Sequence, residues 1–76
     1  MNAARRKMIE DAITKIEEVK TILEIVRDEE QDAFDNMPEG LQATERGEKM
    51  EAAISTLDET MDSLDNCVDD LTTATE

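Results

Sequence analysis

The stretch DEEQDAFDNMPEGLQATERGEKME, residues 28–51, is where this chain comes nearest to chemistry. Asp28, Glu30, Asp32 and Glu39 stand at positions 1, 3, 5 and 12 of a calcium-loop register, and hard cations take such carboxylates as ligands. That loop turns sharply at its sixth position, where glycine is needed, and the sixth residue is Ala33. No metal site is expected. The chain has no His, so the usual general base and the commonest transition-metal ligand are both missing. Two carboxylates can divide acid and base work only in a cleft that separates their pKa values, and this sequence suggests no cleft. The single thiol, Cys67, has no imidazole to activate it and is expected to be a buried structural cysteine. No catalytic residue and no cofactor follow, and the chain reads as a non-enzyme.

The elements that carry these residues are legible in the apolar periodicity. Ile9, Ala12, Ile16, Val19, Leu23 and Val26 recur at alternating spacings of three and four, and the register continues through Glu30, Ala33 and Met37. Ile13, Ile22 and Ile25 widen this stripe beyond what one neighbouring helix requires. A second seam runs through Met50, Ile54, Leu57, Met61, Leu64, Val68 and Leu71, flanked by small residues spaced by seven at Ala53, Thr60, Cys67 and Ala74. The spacing predicts helices over about 3–36 and 44–74 with a turn over about 37–43. Pro38 disfavours helix at Met37, Gly40 permits a left-handed turn, and Thr44 can cap the second helix. Phe34 is expected to pack on Leu41 and across Gly47.

The fold class expected is all-α: an antiparallel, coiled-coil-like helical hairpin, residues 1–76 forming one domain, that dimerises into a four-helix bundle. Seventy-six residues bury too little surface for comfortable stability without a further staple. A lone Cys excludes an internal disulfide, which leaves a homo-oligomer, with a dimer as the simplest. No segment approaches the roughly 20 apolar residues that cross a bilayer, so a protein of the cell interior, away from membranes, is expected.

Charge placement adds a direction. The net charge is -13, yet residues 1–20 carry five Lys or Arg and four acids, net +1. From Glu51 to Glu76 there are eight acids and no base. Direct binding to nucleic acid is not expected of such a chain, because phosphate contacts need cations. An antiparallel hairpin should set Arg5, Arg6 and Lys7 beside Asp65, Asp69 and Asp70. Glu51, Asp58, Glu59 and Asp62 are then left as an acidic face for a partner with a basic surface.

The run EEQDAFDNMPEGLQATERGEKME, residues 29–51, resembles a signature of short uncharacterised helical proteins of bacteriophages and prophages. The resemblance implies a small phage protein in the cytoplasm of an infected bacterial host, and it carries over no catalytic or ligand residue. Three functions fit. The first is an inhibitor or adaptor that engages a basic surface of a bacterial protein, such as a defence protein, through the acidic face. The second is an oligomeric sponge for a nucleotide immune signal, with Arg5, Arg6, Lys7 or Arg46 holding phosphates. The third is an assembly module whose acids only solvate it.

Overall fold

A computed structural model describes residues 1–76 as three helices and no strands: α1 over Ala3–Asp35, the short α2 over Glu39–Gln42, and α3 over Glu45–Ala74. The molecule is a rod of 58 × 15 × 12 Å. No helix is long and apolar enough to cross a membrane.

Each boundary has a local cause. Asn2 is extended and its side-chain oxygen accepts from the Arg5 backbone N–H at 2.9 Å, which opens α1. The chain leaves α1 after Asp35 because Met37 precedes Pro38, whose ring disfavours helical geometry in the residue before it. Pro38 then starts α2 with its fixed φ of -56°. Thr44 occupies the N-cap position of α3 with extended backbone, and Glu45 and Glu48 complement the positive end of its dipole.

The tip differs from the sequence expectation in three ways. No glycine has positive φ, so Gly40 makes no left-handed turn and lies inside α2 instead. The Thr44 hydroxyl does not cap α3 but donates backwards to the Leu41 carbonyl at 2.5 Å. Gly47 makes room for the backbone of the turn, since a Cβ there would overlap the Gln42 carbonyl. The reason is the extra turn α2, which brings Gln42 down onto α3 and leaves Leu41 half exposed.

Helices α1 and α3 pack along one another. Lys20 pairs with Asp65 and Arg27 with Asp58, so seven residues forward on α1 correspond to seven back on α3. On α3 the expected seam is the one that faces α1: Ile54 is buried, and Met50, Leu57, Met61, Leu64, Val68 and Leu71 are half-buried. On α1 the seam is shifted. Ile9, Ile16, Leu23, Glu30 and Met37 face inward as expected, but their companions are Ile13, Lys20, Arg27 and Phe34. Ala12, Val19, Val26 and Ala33, expected in the seam, are exposed. Both choices satisfy the spacing of three and four. The one adopted lets Lys20 and Arg27 lay their apolar stems along the seam while their charged ends reach α3. Only Gly47 and Ile54 are buried in the whole chain.

Candidate interaction faces

The seven-residue repeat gives the α1–α3 pair two unlike sides. Lys20 and Arg27 form one edge of the α1 seam, and Asp58 and Asp65 form the α3 edge that meets it. The Lys20 ammonium donates to Asp65 at 2.6 Å, and Arg27 donates through Nε to Asp58 at 2.9 Å. These hydrogen bonds, with the carboxylate charges second or third in weight, hold both cations' pKa values above their ordinary range. The other two edges therefore share the opposite side: Val19 and Val26 on α1, and Ala53, Thr60, Cys67 and Ala74 on α3. Ala53 lines a groove on that side with Glu30, Met50 and Arg46.

Glu51, Asp58, Glu59 and Asp62 all fall on the charged side of α3 or its outer surface, within three turns of helix. Asp58 is not the unpartnered acid that the sequence suggests, because Arg27 holds it in a half-buried position. Glu51, Glu59 and Asp62 are exposed and make no salt bridge. Asp62 does add its charge to those raising the Lys20 pKa.

The basic residues are not gathered. Arg5, Arg6 and Lys7 lie on the first turns of α1, and Arg46 begins α3 at the other end of the rod. The expected pairing of Arg5, Arg6 and Lys7 with Asp65, Asp69 and Asp70 does not form. Asp65 is taken by Lys20, thirteen residues further along α1 than Lys7, and α3 ends level with about Asp11. Lys7 instead pairs with Asp11 on its own helix at 2.7 Å, which raises its pKa.

The carboxylates in the calcium-loop register do not converge, since Asp28, Glu30 and Asp32 sit in continuous helix and Glu39 starts α2. No group of three or more His, Cys, Asp or Glu side chains is placed to hold a metal ion. Cys67, expected to be buried, is exposed, because the α3 seam passes through Leu64, Val68 and Leu71 and leaves position 67 on its edge.

Three residues with clear structural roles escape the sequence reading. Lys20 and Arg27 carry a signal in their shared spacing of seven with Asp58 and Asp65. Gln42 carries none: its side-chain amide donates to the Phe34 and Met37 carbonyls at 2.9 and 3.2 Å, satisfying the end of α1 from the turn beyond it. Comparison of the chain with models of protein families, with curated proteins and with solved structures found no match.

Proposed function

We propose that this chain is a non-enzymatic binding protein, built as an antiparallel hairpin that dimerises into a four-helix bundle, which engages a basic protein surface through the acidic side of α3. The observation that carries the reading is the set of exposed carboxylates at Glu51, Glu59 and Asp62, which make no salt bridge beside the internally matched Arg27–Asp58 and Lys20–Asp65 pairs. Charges already paired within the chain offer little to a partner; free ones steer encounter and fix orientation. The resemblance of residues 29–51 to phage proteins supports a bacterial host protein as the partner and the host cytoplasm as the place.

A pull-down from bacterial lysate tests this with the triple variant Glu51→Gln, Glu59→Gln, Asp62→Asn, which leaves Asp58 in its pair. The wild-type chain is expected to retain a partner in low salt and lose it in high salt, as screening weakens exposed charge contacts. The triple variant, with helicity unchanged, is expected to retain less of it. Equal retention by both proteins rejects the acidic face. A nucleotide found on the purified native chain would favour the sponge reading, in which Arg5, Arg6 and Arg46, exposed and outside any salt bridge, are the available cations. Absence of any retained partner would leave the assembly module as the better reading.

A further inference from the structure

The side of the molecule opposite the ion pairs is apolar and open. Val19, Ile22 and Val26 of α1 are 47%, 59% and 45% exposed, and Thr60 and Cys67 of α3 lie beside them on the same side. The bulky residues therefore all stand on one helix and the small ones on the other. The accessible surface is 5537 Å², whereas a compact folded chain of 8.6 kDa exposes about 4,700 Å². The excess, about 800 Å², matches what one partner of a standard-sized interface buries.

We infer that a second copy of this chain covers this face through a two-fold axis parallel to the helices, each α1 lying on the α3 of the other copy with Val19 on Cys67 and Val26 on Thr60. The inference rests on the dimeric reading above and specifies its interface. Three observations select this arrangement. A two-fold axis makes the patch meet itself, and with the axis along the helices the bulky α1 ridge falls on the small α3 groove, where backbones can approach. An axis across the helices would instead set bulky on bulky and small on small. The levels also agree: Arg27 beside Asp58 and Lys20 beside Asp65 put Val26 level with Thr60 and Val19 level with Cys67. Finally, Lys15 makes no ion pair in its own chain, and this packing brings it to Asp70 of the other copy at the rim, where opposite charges fix register.

Disulfide trapping tests the arrangement. Val19→Cys, oxidised with diamide at neutral pH, is expected to give a covalent dimer linking position 19 of one copy to Cys67 of the other. The wild-type chain, whose two Cys67 thiols stand on opposite sides of the axis, is expected to give about tenfold less, since a disulfide needs Cα atoms within about 7 Å. Should that variant not fold, carbodiimide on mixed light and isotope-labelled wild-type chains is expected to join Lys15 to Asp70 between chains. Efficient Cys67-to-Cys67 linkage in the wild type, or a Lys15 cross-link confined to one chain, overturns this packing while the dimer stands. A scattering mass of one chain at micromolar concentration overturns the dimer itself.

Discussion

The two glycines have opposite roles, and neither is the one expected from the sequence, which gives Gly40 a left-handed turn and Gly47 the space for the Phe34 ring. Gly40 lies in helical backbone with open space around its missing side chain. Gly40→Ala is therefore expected to stabilise the fold by about 0.5–1 kcal/mol, chiefly by restricting the unfolded chain. Gly47 is buried against the Gln42 backbone, and a methyl group there has no room without moving α2. The helix-propensity gain of about 1 kcal/mol for Ala over Gly is expected to be outweighed, with Gly47→Ala losing about 1–3 kcal/mol net, as overpacked sites do. Urea unfolding of the two variants checks both signs at once. Two shifts in the same direction would show that the tip does not hold α2 against α3.

At the scale of elements, the pairing of α1 with α3 is set by apolar contacts that leave only Ile54 buried among the large residues, and its register is marked by two ion pairs. Lys20 supplies a pH signature. Its hydrogen bond to Asp65 raises its pKa in the folded state above the ordinary 10.5. A raised folded pKa means that the contribution is complete below the unfolded value and is lost as pH climbs through the folded one. The urea midpoint is thus expected to be unaffected by this pair between about pH 7 and pH 9 and to fall above about pH 10.5. Lys20→Gln is expected to start lower and to show a shallower alkaline decline. A variant that declines as steeply as the wild type would mean that Lys20 does not report the pairing. Because both partners remain partly exposed, the size of the effect is small.

For the whole molecule the deciding quantity is charge density. Twenty-one acids and eight bases share a rod 15 Å by 12 Å in section, so many like charges lie within the screening length of about 10 Å at 0.1 M salt. Two ion pairs cross between the helices, and exposed pairs contribute little. Repulsion is therefore expected to outweigh pairing, and sodium chloride is expected to raise the melting temperature. A melting temperature that falls with added salt would reverse that ranking. The same rod exposes Val19, Ile22, Ile25 and Val26, and Val19 and Val26 belong to the face on which the proposed second copy would lie.

The sequence by itself determined the helices and their breaks. A spacing of three and four fixes which residues share a face, Pro38 stops α1 wherever α1 packs, and the α3 seam from Met50 to Leu71 was readable because the competing companions Ala53, Thr60 and Cys67 are small beside Ile54, Met61 and Val68. On α1 two registers share Ile9, Ile16 and Leu23, and local periodicity cannot rank Ala12, Val19 and Val26 against Ile13, Lys20 and Arg27. That choice was decided by tertiary structure, because it depends on which carboxylates α3 brings within reach, and α2 sets that by adding a turn between the helices. One consequence runs through the whole molecule: Asp58 is matched, Arg5 and Arg6 lie beyond the end of α3, Cys67 sits at an open edge, and the apolar residues displaced from the seam form an exposed face.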